Sequence, residues 1–252
     1  YSPAIHAELA DYDYRLYEVA PEKLGEFLKD GEFDGLNVTI PYKKAVISYC
    51  AALSPIAQKL QSVNVLVRRA DGTLYGDNAD AYGFDAMVKA SGISVEGKKA
   101  LVFGSGGASA TVCAVLNELR ARSVTVISRS GEDNYGNLDR HADAEIIVNT
   151  TPVGMYPNCG VSPVDLRQFP RLAGVLDIVY NPARTALVMQ AETLGIPYMS
   201  GLYMLVAQAK RTAEVFEGHA ILGSETERIW KKLGREMQNI VLIGMPGSGK
   251  ST

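Results

Sequence analysis

The 252-residue chain is poor in cysteine and histidine, and each scarcity excludes something. Cys50, Cys113 and Cys159 stand far apart with no C-x-x-C spacing. That argues against a disulfide framework or zinc ribbon and for the reduced thiols of a cytoplasmic protein. His6, His141 and His219 do not cluster, so neither a metal site nor a serine–histidine arrangement is expected. No apolar run approaches membrane-spanning length. The opening "YSPAIHAELADYD" lacks the basic start and apolar centre of a signal peptide. The net charge is -3 with no block of like charge, so nucleic acid and anionic membrane are poor candidate partners.

What is present is ordinary for a globular protein: 47% hydrophobic and 21% charged residues, over a length suited to one large or two modest domains. Short apolar strands alternate with amphipathic helical stretches, which argues for an α/β fold with mainly parallel sheets. "SPAIHAELA" predicts a helix with Ser2 at the N-cap and Pro3 at the first helical position. "YDYRLYEVA" alternates like a strand, "PEKLGEFLKD" reads as a helix, "FDGLNVTI" as a strand, and "PYKKAVISYC" as a helix opened by Pro41. "SVNVLVRRADGTLYGDNAD" predicts a hairpin turning at Asp71–Gly72, followed by the helix "AYGFDAMVKASG". "KKALVFG", "GSGGASATVCAVLNELRA" and "SVTVISRS" then form strand, glycine turn, helix and strand, a βαβ unit. "AEIIVNTT" and "GVLDIVYNP" are further strands; "TALVMQAETLG", "GLYMLVAQAKRTAEVFEG" and "SETERIWKKLGREM" are helices. Boundaries are expected near Ala81 and Gly201. Residues 1–80 with 201–237 then form one domain, residues 81–200 a second, and residues 238–252 the start of another.

Three features carry chemistry. Gly104, Gly106 and Gly107 lie between strand and helix, where missing side chains let backbone N–H groups approach a pyrophosphate. Ser109 stands at the third fingerprint position, and a plain tight turn is the alternative reading. Arg129 in "ISRS" occupies the place where a carboxylate would select NAD. A guanidinium pairs with a 2′-phosphate, so NADP is favoured, although Glu132 and Asp133 nearby count slightly against it. In "NVTIPYKK", Asn37 and Thr39 point the same way along a strand, and Lys43 falls in a first helical turn, mildly disfavoured by the dipole. Asp80 precedes the next helix; beside Lys43 it would form a pair able to move a proton. Spacing alone favours two ordinary surface charges.

The motifs "YSPAIH", "FDGLNVTIPYK", "SVNVL", "DGTLYGDNADAYGF", "FGSGGAS", "VNTTPVGMYP", "DIVYNPART" and "GLYMLVAQA" occur in the order seen in shikimate dehydrogenases. From Tyr1 to about Met237 the chain resembles that family. The resemblance implies an N-terminal α/β substrate domain and a Rossmann-type NADP-binding domain, with a cleft between them. It implies reduction of 3-dehydroshikimate to shikimate with NADPH, a step of aromatic amino-acid synthesis. By position it implies Lys43 and Asp80 as the acid/base pair, Ser2 on the substrate carboxylate, and Thr39, Asn64, Tyr180 and Gln208 on carboxylate or ring hydroxyls. Gly104, Gly106, Gly107 and Ala108 would line the pyrophosphate, Arg129 the 2′-phosphate, and Asn149, Thr150 and Met204 the length of the cofactor.

Three departures stand out. The first serine of the family's Ser-x-Ser-Pro is absent ahead of Tyr1. Its N-T-D appears as Asn78-Ala79-Asp80, and its N-R-T as Ser128-Arg129-Ser130. At the other end, Gly244–Ser251 fits G-x-x-x-x-G-K-[ST] after an apolar strand. It resembles the opening of a shikimate kinase, so a dehydrogenase–kinase parent cut at the loop is expected, with Lys250 and Ser251 idle here. The alternatives are an NAD-using quinate/shikimate dehydrogenase and a non-catalytic shikimate- or dinucleotide-binding module.

Overall fold

The structure is a computed structural model that describes residues 1–237; the expected phosphate loop lies outside them. The chain opens with helices α1 (Ser2–Leu9) and α2 (Leu24–Asp30). Strands β1 (Gly35–Asn37), β2 (Cys50–Leu53), β3 (Val65–Arg68) and β4 (Leu74–Asp77) form a mixed sheet in the order β1-β3-β4-β2. The expected hairpin is β3–β4, antiparallel. Its turn places Gly72 at φ 81°, and the Asp71 carboxylate accepts from Thr73 N and Oγ1. Helix α3 (Pro55–Leu60) follows β2, capped by Ser54, whose hydroxyl accepts from Ala57 N. Leu24, Leu28, Val46, Ala57, Val63, Leu66 and Leu74 fill the core of this half.

Helix α4 (Ala79–Ser91) leads out of β4 into a second sheet. Strands β5 (Lys99–Phe103), β6 (Ser123–Ile127), β7 (Ile146–Asn149), β8 (Gly174–Asp177) and β9 (Tyr198–Ser200) are all parallel, in the order β6-β5-β7-β8-β9. Helices α5 (Gly107–Glu118) and α6 (Ala186–Thr193) cross between strands. The central strands β5, β7 and β8 are buried on both faces, as a parallel sheet covered by helices requires, while the edge strands β6 and β9 are only partly covered. Ala100, Val102, Ile146 and Val148 pack on α4 and α5 through Phe84, Met87, Val112 and Leu116. Leu101, Phe103, Ile147 and Val175 pack on α6 through Leu187 and Ala191. The sheet order reverses between β5 and β7, and Gly104 and Thr150 leave the carboxyl ends of those two strands. Such a reversal opens a crevice where ligands of doubly wound sheets bind.

The long helix α7 (Leu202–Glu217) and α8 (Gly223–Glu236) close the fold. Leu202, Val206, Ala209, Ile229 and Leu233 enclose Ile5 of α1, so the C-terminal helices pack on the N-terminal one. No described helix is long and apolar enough to cross a membrane.

Four local expectations fail. Tyr12–Ala20 forms no strand, because no described strand offers it a ladder; side chains anchor it instead, Asn37 Nδ2 donating to Tyr14 Oη and Tyr42 Oη to Val19 O. Pro41 opens a turn followed by a 3-10 segment, Ala45–Tyr49, not an α-helix, so the dipole argument for Lys43 falls. The strand read over "FDGLNVTI" shortens to Gly35–Asn37. Tyr1, not Ser2, is the N-cap of α1, since the first helical bond runs from Ile5 N to Tyr1 O.

Candidate active site

One end of the mixed sheet gathers the polar residues. Val38 N donates to Asn64 O at 2.8 Å, Val63 N to Lys43 O at 2.8 Å, and Asn64 N to Asp77 O at 3.1 Å. These bonds draw the Asn37–Lys43 segment, the start of β3 and the end of β4 together. Asn78 caps α4 by accepting from Ala81 N at 3.2 Å, and its Nδ2 donates to Ser62 O at 2.9 Å. Ala79 N donates to Asn64 Oδ1 at 2.7 Å, which orients the Asn64 amide. The cap sets Asp80 in the first turn, and its Oδ2 lies 2.6 Å from Lys43 Nζ. Side chains 29% and 23% exposed keep this ion pair within reach of a ligand. A pair so exposed contributes little to stability, so its placement calls for another reason. Thr39 is exposed at the same end, and Ser2 is half-buried at the start of α1.

Behind it, sequence reading missed a second ion pair. Arg211 Nη2 of α7 reaches the buried Asp77 Oδ2 at 3.0 Å, while Asp77 Oδ1 accepts from Asn78 N at 2.8 Å. Asp77 thereby ties the α4 cap to α7.

His6 of α1 is buried beneath Tyr12, Tyr14 and Phe216. Asn37 Nδ2 faces His6 Nε2 at 3.0 Å and donates to Tyr14 Oη at 2.9 Å. With an amide donor at Nε2, the ring proton belongs on Nδ1, toward Tyr12 Oη. Burial lowers the His6 imidazole from its ordinary 6.5 to about 4. The unfolded chain therefore takes up a proton below pH 6.5 that the folded chain refuses until about pH 4. Stability is expected to fall by about 2 kcal/mol between pH 7 and pH 5. Urea unfolding at both values checks this. The loss should shrink in His6→Gln; an equal loss in that variant would remove His6 as its cause.

On the other side, Gly104 follows β5 at φ 107°, where a Cβ would sit 2.8 Å from Thr150 Oγ1. Thr150 Oγ1 and N both donate to Phe103 O, at 2.7 and 2.8 Å. Gly106 caps α5 and Gly107 begins it, with Ala108 next in that first turn. A Cβ at Gly106 or Gly107 would meet no protein atom within 4 Å, so packing does not demand glycine there. A group approaching the N-terminus of α5 closely would demand it, and free backbone N–H groups at a helix start suit an anion such as a pyrophosphate. Arg129, just beyond β6, is exposed. Of its two acidic neighbours, Asp133 is engaged elsewhere, its Oδ1 facing His141 Nε2 at 2.7 Å.

Asn149 requires a correction. Its side chain is fully buried: Nδ2 donates to Asp177 Oδ1 at 2.9 Å, and Oδ1 accepts from Thr151 N and Oγ1. It shapes the loop after β7 and cannot line a cofactor. Tyr180, in the loop after β8, packs into the α1–α7–α8 cluster and meets the Tyr1 ring edge-on at 5.4 Å. Met204 and Gln208 face α4 across Gly83, where a Cβ would lie 2.8 Å from Met204 O and from Gln208 Cβ. Among the described residues no group of histidine, cysteine and carboxylates is placed to hold a metal.

A glycine cradle at the reversal of a parallel sheet, joined through one helix to a reachable lysine–carboxylate pair, defines a dinucleotide-dependent oxidoreductase. The profile described as the shikimate dehydrogenase substrate binding domain matches residues 1–66. The chain is 32% identical to a shikimate dehydrogenase (NADP(+)) of Clostridium perfringens, covering 92% of this chain and 93% of that one. It is 38% identical to another of Oleidesulfovibrio alaskensis, covering 89% and 80%. Among solved structures, a chorismate mutase/shikimate 5-dehydrogenase fusion protein from Clostridium acetobutylicum superposes with TM-score 0.88 at 31% identity, over 94% of this chain and 93% of that one. A shikimate 5-dehydrogenase from Thermus thermophilus, in complex with NADP(H) and shikimate, superposes with TM-score 0.80 at 30% identity, over 92% and 94%. The chain belongs to the shikimate dehydrogenase family.

Proposed function

We propose that this protein catalyses the reversible, NADP-dependent reduction of 3-dehydroshikimate to shikimate. The reachable Lys43–Asp80 pair, held at 2.6 Å, carries the reading. Bound NADPH supplies hydride to the carbonyl carbon. Lys43 gives its proton to the carbonyl oxygen during reduction and takes it back in the reverse direction. Asp80 orients the ammonium. Thr39, Asn64, Tyr180, Gln208 and Ser2 hold the carboxylate and hydroxyls of a ligand that is polar on all sides; such a ligand needs several converging donors and acceptors. Residues 1–80 with 201–237 supply this substrate half, and residues 81–200 hold the cofactor. Gly104, Gly106, Gly107 and Ala108 would take the pyrophosphate, Arg129 the 2′-phosphate, and Thr150 and Met204 the nicotinamide side.

The test is reduced-nicotinamide absorbance with shikimate and NADP⁺, then with NAD⁺. Arg129→Ala should raise KM for NADP⁺ about ten- to a hundredfold, the worth of charge-assisted phosphate contacts, and leave NAD⁺ kinetics unchanged. Equal effects on both cofactors would remove Arg129 from the 2′-phosphate. The finer reading of a kinase unit beginning at residue 238 rests on the Gly244–Ser251 motif alone. Turnover of MgATP by the purified chain would contradict idle Lys250 and Ser251.

A further inference from the structure

Asp177 ends β8 with no exposed surface, and its carboxylate accepts three hydrogen bonds from neutral donors. They are Thr185 Oγ1 at 2.6 Å, Asn149 Nδ2 at 2.9 Å and Val179 N at 3.1 Å. Burial raises its pKa, and the bonds from Thr185, Val179 and Asn149 oppose that rise. A buried carboxylate is costly, and packing alone would be met by an apolar residue. What an apolar residue cannot do is receive three donors, one from the end of β7 and two from the opposite ends of the loop after β8.

Those segments lead to both halves of the site. Asn149 passes the constraint onward, because its Oδ1 fixes Thr151, and Thr151 Oγ1 accepts from Val153 N at 3.2 Å. This sets the loop after β7, beginning at Thr150. Val179 immediately precedes Tyr180, and Val179 O accepts from Gly201 N at 3.1 Å at the start of α7. Thr185 caps α6 by accepting from Val188 N at 3.2 Å, which closes the Tyr180 loop at its far end. The two loops also meet directly, Tyr156 N donating to Asn181 O at 2.9 Å.

We propose that Asp177 is a positioning residue: its carboxylate locks the loop after β7, on the cofactor side, to the loop carrying Tyr180, on the substrate side. The inference rests on the dehydrogenase reading above. Asp177 touches neither reactant; it fixes the geometry in which the two loops present them to each other.

Asp177→Asn keeps the shape but leaves one donor facing an amide N–H₂. Thr185→Val removes one donor, and Thr185→Ser retains it. All are assayed as the full chain with shikimate and NADP⁺, with thermal unfolding measured alongside. Folded Asp177→Asn and Thr185→Val should lose about tenfold or more in kcat per active site and raise KM for shikimate, as misplacement of bound reactants does. Thr185→Ser should stay near wild type. In a double-mutant cycle with Tyr180→Phe, the loss for Asp177→Asn should be smaller when Tyr180 is already changed. A carboxylate that only supports the fold would lower Tm and the active fraction but leave kcat and KM per active site unchanged. That result, or additivity with Tyr180→Phe, overturns the proposal. A wild-type chain inert toward shikimate would overturn the dehydrogenase reading first, so the two failures are distinguishable.

Discussion

Lys43→Ala is expected to lower kcat for shikimate oxidation by a factor of about 10² to 10⁴, the contribution of a positioned general acid–base group. The size follows from the site's construction. Lys43 Nζ is the cation facing Asp80, at 2.6 Å, and the short turn around Lys43 is held to the sheet through its own carbonyl. Truncation removes the proposed proton carrier and leaves that backbone carbonyl in place. Asp80 remains 23% exposed, so water can solvate it and the fold should persist. Affinity for shikimate should change only a few-fold, because the proposed binding side chains stand on other segments. Steady-state kinetics with NADP⁺, beside thermal unfolding, checks both halves of the expectation. A variant that keeps wild-type kcat would show that the proton travels by another route.

Gly83→Ala is expected to damage both stability and activity, against what helix propensity says. Inside an exposed helix, alanine in place of glycine gains up to about 1 kcal/mol. At Gly83 the added carbon would sit 2.8 Å from the Met204 carbonyl oxygen and from Gln208 Cβ, and 3.2 Å from Gln208 N. Two of these contacts are backbone, so α7 must shift away from α4 by several tenths of an ångström. Neither helix is free to move: Phe84 and Met87 of α4 sit in the core of the parallel sheet, and Val206 and Ala209 of α7 in the cluster with α1 and α8. Overpacking of this kind costs about 1–3 kcal/mol. The shift also moves Gln208 and Met204 relative to Asp80, one turn before Gly83, and kcat/KM should fall about tenfold or more. Gly234→Ala is the control. It lies within α8, its added carbon meeting only Leu202 Cδ2 at 4.0 Å, and it should stabilise the chain. Equal stabilisation by both substitutions would refute the close-approach argument.

Much of the fold was legible because its signals are local. The βαβ unit is written in "KKALVFG", "GSGGAS" and "SVTVIS": apolar strands on either side of a glycine turn and the helix it opens. The hairpin is written in Asp71–Gly72, and most of α4 in "AYGFDAMVKASG", although its asparagine cap and first turn, which takes in Asp80, were not read. Where reading failed, the deciding partner was distant. Tyr12–Ala20 has a strand's alternation but no neighbour to pair with, and alternation without a ladder is only a pattern. Cys50–Leu53 carries no strand pattern, yet pairs in parallel with β4. Pro41 looked like a helix start, and the chain turned instead.

The candidate site divides in the same way. Its residue types and motif order were present in the sequence, as was the arginine after β6. The sequence by itself determined the fold class and the glycine turn after β5, because those depend on short-range spacing and on backbone freedom at glycine; Lys43 and Asp80 were singled out only by motif order, since their spacing alone favoured two surface charges. Only the tertiary structure decided that Lys43 and Asp80 meet, that Asn149 is spent inside the protein, and that Asp177 joins two loops. Those facts depend on hydrogen bonds between segments 28 to 37 residues apart, and a buried polar group is satisfied by whatever the folded chain brings to it, wherever that lies in the sequence.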